Sequence, residues 1–153
     1  METPKWLIHS YKVAERMYEI GKEEGSSEKE CRNLWLIGLL HDIGKRFGEQ
    51  SEHREIGAEI LEQNKIPFTK VIKQHGQPLE TFTWALYYLN KADMTVNQEG
   101  EIISYSERLK DIAERYGEDS DVYNNAKEVV RRCKKYDIEY EIPEFDIITD
   151  SRI

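Results

Sequence analysis

Apolar residues recur along this chain mostly at spacings of three and four, the repeat that puts side chains on one face of an α-helix, and only four prolines and nine glycines interrupt them. The pattern predicts a nearly all-α protein of about six to seven helices. Pro4 suits the first turn of a helix reaching about residue 24. Ser27 with Glu30 reads as a capping box, opening a second helix that runs to Asp42 and is ended by Gly44. A third helix spans about 53–64 and stops before Pro67, with Ser51 as its cap. A short fourth begins at 68 or 69 and ends at 75, ahead of Gly76 and Pro78. The fifth, over about 81–94, carries an aromatic row of Phe82, Trp84, Tyr87 and Tyr88, and "NQEG" after it reads as a turn. Ser104 with Glu107 makes a second capping box, starting a helix of alternating charge expected to be half exposed. A last helix covers about 121–136, and "IEYEIPEFDIITD" alternates as an extended C-terminal tail.

The same periodicity places the histidines, of which the chain has four. His9 shares a face with Trp6, Val13 and Met17, and His41 lies over Leu34, Ile37 and Gly38. His53 begins the stripe Ile56, Gly57, Ile60 and Leu61, while His75 ends the stripe Phe68, Val71 and Ile72. All point inward. Asp93 joins them on the face of Ala85, Leu86 and Leu89, and Asp42 follows Gly38 and Leu39. A single inward histidine is more often a satisfied core residue than a ligand, and Asp42 alone can pair with Lys45. Six such residues together resist that reading, because an ionised carboxylate buried without a partner costs several kcal/mol. A shared divalent cation satisfies them all. It also relieves Asp42, which sits where the helix terminus is already partly negative.

Imidazole and carboxylate without thiolate suit one or two ions of iron, manganese, cobalt, nickel or zinc in a catalytic site. Cys31 and Cys133 form neither a CxxC pair nor a disulfide framework, so they read as packing residues. A chain of 153 residues is expected to form one domain over 1–153. Its net charge of −8 argues against a sequence-independent grip on duplex nucleic acid or anionic lipid, so a small anionic substrate needs a local positive centre. The apolar run 34–40 is too short to cross a bilayer and the N-terminus has no signal-peptide core, which predicts a cytoplasmic protein. The aromatic row is weighed first as core, with a homodimer contact or base stacking left open.

At the inward residues the sequence resembles the HD-domain superfamily of metal-dependent phosphohydrolases, whose pattern is a histidine, a His-Asp doublet and a distant aspartate. "LIHSYKVAERM" supplies His9, "LLHDIGK" supplies His41 and Asp42, and "LNKADMT" supplies Asp93. His53 in "SEHREIGAEIL" and His75 in "VIKQHG" are similar to the six-ligand dinuclear subset, as in the YqeK-like group that splits dinucleoside polyphosphates. The resemblance covers about residues 6–94, leaving the C-terminal helices and tail, 104–153, outside the motif core. It implies a compact helical bundle with one metal on His9, His41, Asp42 and Asp93 and a second on His53 and His75, with Asp42 bridging.

The implied reaction is cleavage of a phosphate ester or anhydride, of a nucleotide above all, by a metal-bound hydroxide. Asp42 would be at the catalytic centre and Lys45 would hold the substrate phosphate, with Arg46 and Arg54 weaker candidates for that contact. Two departures stand out. His75 is followed by Gly-Gln-Pro, which separates the chain from the cyclic di-GMP phosphodiesterases, and "MTVNQEGEIIS" after Asp93 differs from the dinucleoside polyphosphate hydrolases. A di-iron oxygenase of HD-like fold and a non-catalytic nucleotide-binding regulatory module are the competing readings.

Overall fold

The computed structural model describes residues 2–47 and 52–139. Its α-helices are α1 (Lys5–Glu23), α2 (Glu28–Leu40), α3 (His53–Gln63), α4 (Thr69–Gln74), α5 (Trp84–Asp93), α6 (Tyr105–Tyr116) and α7 (Asp121–Glu139). A 3-10 helix, Ile43–Arg46, lies between α2 and α3. The helical tail end passes the expected boundary, since α7 runs on to Glu139. The rest of the extended tail and Ser51 fall outside the described residues, and the N-cap position of α3 is Glu52, not Ser51 as expected.

Local chemistry sets most of the helix ends. Pro4 is the N-cap of α1 and precedes its first turn. Ser27 caps α2, its hydroxyl accepting from the Glu30 backbone N–H at 3.1 Å, but the box stays half closed because that hydroxyl also donates to the Glu30 carboxylate. Ser104 and Glu107 close theirs fully, each side chain accepting from the other's backbone N–H at 3.1 Å. The "NQEG" turn joins residues that pair as a single antiparallel bridge, Val96 with Ile102.

The end of α2 departs from expectation. The helix stops at Leu40, and the chain passes through His41 and Asp42 into the 3-10 helix, so Gly44 lies within that helix and is not its stop signal. Gly44 answers a tertiary demand instead: a Cβ there would fall 1.8 Å from the carbonyl oxygen of His53. Gly38 likewise lets α2 lie against α1, where a Cβ would meet the Ala14 Cα at 2.7 Å. These two close approaches bring His9, His41 and His53 around Asp42.

Val13 and Met17 of α1, Leu34 and Ile37 of α2, Leu61 of α3, Ile72 of α4 and Leu86 and Leu89 of α5 form one buried core. Each such side chain contributes roughly 1.5–3 kcal/mol by leaving water. Phe82, Tyr87 and Tyr88 of the aromatic row are buried with them, Phe82 and Tyr87 stacking on Tyr136 of α7, while Trp84 packs half-buried against that core. Tyr87, Lys91 and Tyr105 all donate to the Asp137 carboxylate, pinning α5, α6 and α7 together. Both cysteines are buried and unpaired in this packing. No helix among the described residues is long and apolar enough to cross a membrane.

Candidate metal centre

Five chain segments converge on one point. α1 delivers His9, the turn after α2 delivers His41 and Asp42, α3 begins with His53, α4 is capped by His75, and α5 ends at Asp93. The histidines and Asp42 are at most 3% exposed, and the Asp93 side chain is 14% exposed. Every inward-facing residue expected from the periodicity is brought into this cluster.

Asp42 divides the cluster in two. Its Oδ2 lies 3.3 Å from His41 Nε2 and 3.9 Å from His9 Nε2, and Asp93 Oδ1 adds contacts of 2.7 Å to His9 and 3.5 Å to His41. Its Oδ1 lies 3.3 Å from both His53 Nε2 and His75 Nε2, which are themselves 3.1 Å apart. His9, His41 and Asp42 form one group able to hold an ion, and Asp42, His53 and His75 form another.

The ring orientations fit that use. His9 Nδ1 donates to the Asn97 carbonyl at 3.2 Å, His41 Nδ1 to the Gly38 carbonyl at 2.6 Å, and His75 Nδ1 to the Ile72 carbonyl at 2.5 Å. A carbonyl only accepts, so at His75 the proton of the neutral ring sits on Nδ1 and the Nε2 lone pair faces the centre, as it would at His41 once its second proton is lost. His9, by contrast, has an acceptor at each nitrogen, the Asn97 carbonyl oxygen and, at 2.7 Å, Asp93 Oδ1. Lone pairs set against carboxylate oxygens repel unless a proton or a cation lies between. His41 Nε2 is fully buried and has no hydrogen-bond partner, since its neighbouring carboxylates are close but off-line. Donor separations of this size also match the edges of a coordination shell with ligand bonds of about 2.0–2.2 Å. The donor set therefore fits a divalent ion.

Electrostatics agree. Burial opposes charge on His41, but Asp42 and Asp93 outweigh it and raise its pKa to about 10. Burial likewise penalises the carboxylates, yet His41 and Lys45 hold Asp42 well below the usual range, and His41 and His9 do the same for Asp93. At His75 burial wins and lowers the pKa to about 4, leaving a neutral ring. His9 is also lowered, mainly by burial. Without a metal, the His41 imidazolium is the positive centre, and a metal must displace its proton. Lys45 Nζ stands 3.1 Å from Asp42 Oδ2, so it offsets the helix-end charge while lining the cavity above.

That cavity, about 310 Å³, opens over the centre. Its far wall comes from α6 and α7, including Arg108, Ile112, Val122 and Val129. Arg108 is missing from the sequence expectations. It is 5% exposed, its Nε donates to the Asp93 carbonyl at 3.1 Å, and its guanidinium lies 3.7 Å from Asp93 Oδ1. The available signal was its place between Tyr105 and Ile112 on the apolar face of an otherwise charged helix.

A family model described as HD domain matches residues 6–138. The match continues well past residue 94 and takes in α6 and all but the last residue of α7. No curated protein and no solved structure gives a significant match to the chain. With most of its length covered, the chain belongs to the HD domain family, part of a superfamily of metal-dependent phosphohydrolases.

Proposed function

We propose that this protein hydrolyses a phosphate ester or anhydride of a small nucleotide-like molecule at a centre built for two divalent transition-metal ions. One observation carries the reading: the two oxygens of Asp42 face two separate histidine groups, the arrangement of a bridging carboxylate. His9, His41, Asp42 and Asp93 would hold one ion, and His53 and His75, with Asp42, the other. Ions bound there would supply a water of lowered pKa and positive charge against the phosphoryl oxygens.

The chain's own residues supply the rest. The Nδ1 bonds hold the rings in place, and Arg108 fixes the backbone and side chain of Asp93. Apart from the candidate metal ligands, the charged side chains lining the cavity among the described residues are Lys45, Arg54, Arg108 and Arg115 against Asp121. This is the local positive centre that a protein of net charge −8 needs to admit a phosphate. A small phosphorylated molecule fits such a pocket, whereas duplex nucleic acid would have to approach a chain of net charge −8.

Protein purified without chelator is expected to contain a transition metal, and to release phosphate from nucleotides when supplied with Mn²⁺, Co²⁺ or Fe²⁺. Absence of turnover on mono-, di- and polyphosphate nucleotides with every metal would overturn the hydrolytic reading. Oxygen-dependent product with mixed-valent iron would point to oxidative chemistry in its place. His75→Ala should lower the metal-to-protein ratio by one ion while the His9, His41 and Asp93 side stays loaded. Loss of all metal from that variant would mean one coupled site.

A further inference from the structure

We infer that Arg54 holds a phosphate group of the substrate other than the one attacked, and so selects among phosphorylated molecules; this rests on the phosphohydrolase reading of the centre. The cavity is lined by Lys45, Arg54, Arg108 and Arg115. Three of these are engaged with carboxylates: Lys45 with Asp42 at 3.1 Å, Arg108 with Asp111 at 3.1 Å, and Arg115 with Asp111 at 3.2 Å. Arg54 makes no ion pair among the described residues, and its buried Nε–H has no hydrogen-bond partner there. A guanidinium kept partly from water without a partner costs free energy, and an anion entering the cavity removes that cost.

The position of Arg54 is built and tied to the metal ligands. It follows His53 as the second residue of α3, and its Nη1 lies 3.5 Å from where a Cβ on Gly76, the residue after His75, would sit. Gly76 adopts φ +72°, and its N–H donates at 2.9 Å to Oδ1 of Asn90, a fully buried residue of α5. Arg54 therefore stands on the His53–His75 side of the cavity, while Lys45 contacts Asp42 and Arg108 braces Asp93. A phosphate at the centre already has the ions and Lys45 as counter-charges. The planar fork of Arg54 is left for a neighbouring phosphate, which it can grip with two parallel hydrogen bonds.

The test titrates metal-loaded protein with methylenediphosphonate, which carries two linked phosphonates, and with inorganic phosphate. Arg54→Gln is expected to weaken methylenediphosphonate binding about tenfold or more while phosphate affinity changes less than about twofold. Arg54→Lys should fall between, keeping charge but losing the fork, and metal content should equal wild type in both variants. With a turned-over diphosphate substrate, Arg54→Gln should raise KM and leave kcat largely intact. Unchanged affinity for both probes would overturn the assignment, as would failure of wild-type protein to bind either. Equal weakening of both with metal retained would place Arg54 on the attacked phosphate and overturn it as well, and joint loss of metal and affinity would reduce Arg54 to a support of α3. Arg54-dependent binding without phosphate release from any nucleotide would sink the hydrolytic reading and leave the assignment standing.

Discussion

Asp42→Ala is expected to strip both metal groups together and to lower kcat/KM by about a thousandfold or more, the scale of several kcal/mol that metal ions contribute to phosphoryl chemistry. The reason lies in how its two oxygens are shared. Oδ2 faces His9, His41 and Lys45, and Oδ1 faces His53 and His75. No other carboxylate among the described residues touches both groups, since the contacts of Asp93 are confined to His9, His41 and Arg108. Asp42→Asn keeps the shape and removes the charge, so it should lose metal nearly as completely. Stability should suffer less than at an ordinary severed ion pair, because His41 can release its extra proton once Asp42 no longer holds it. Metal per chain, measured alongside turnover, decides the matter. An Asp42→Ala protein that keeps a full complement of either ion would show that the carboxylate does not bridge.

The convergence of the four histidines and two aspartates on one buried cluster was legible because helical periodicity survives to the ends of the helices. His9 sits within α1, but His53 opens α3, His75 caps α4 and Asp93 ends α5, and each still follows the apolar stripe of its own helix. What stayed hidden depends on contacts between elements. The same capping signature closes at Ser104 and half closes at Ser27, a difference of side-chain direction that spacing does not encode. Arg108 was masked by the charged residues around it, of which it alone is buried against the site. The cavity roof needed α6 and α7 folded over α5, a long-range arrangement on which neither helix has a local signal.

Gly44 shows the same division most sharply, because its sequence context reads as a helix stop and its structure reads as a contact. Gly44→Ala would place a methyl group 1.8 Å from the His53 carbonyl oxygen and 2.8 Å from the Gly57 nitrogen, both backbone atoms that no rotamer change can clear. The 3-10 helix and α3 must then separate. Overpacking of this kind costs about 3 kcal/mol or more. At about 2–4 °C per kcal/mol for a chain of this size, the midpoint of thermal unfolding should drop by about 6–12 °C. Because α3 opens with His53, the strain should also weaken the His53–His75 metal group while the His9–His41–Asp93 side persists. Gly57→Ala, on the opposite wall of the same contact, is the comparison. Its added Cβ would meet nothing nearer than 3.4 Å, and alanine gains about 1 kcal/mol over glycine in a helix interior, so that variant should melt at or slightly above the wild-type temperature. Equal melting and equal metal content in the two variants would mean that α3 does not abut the His-Asp turn as closely as the fold requires.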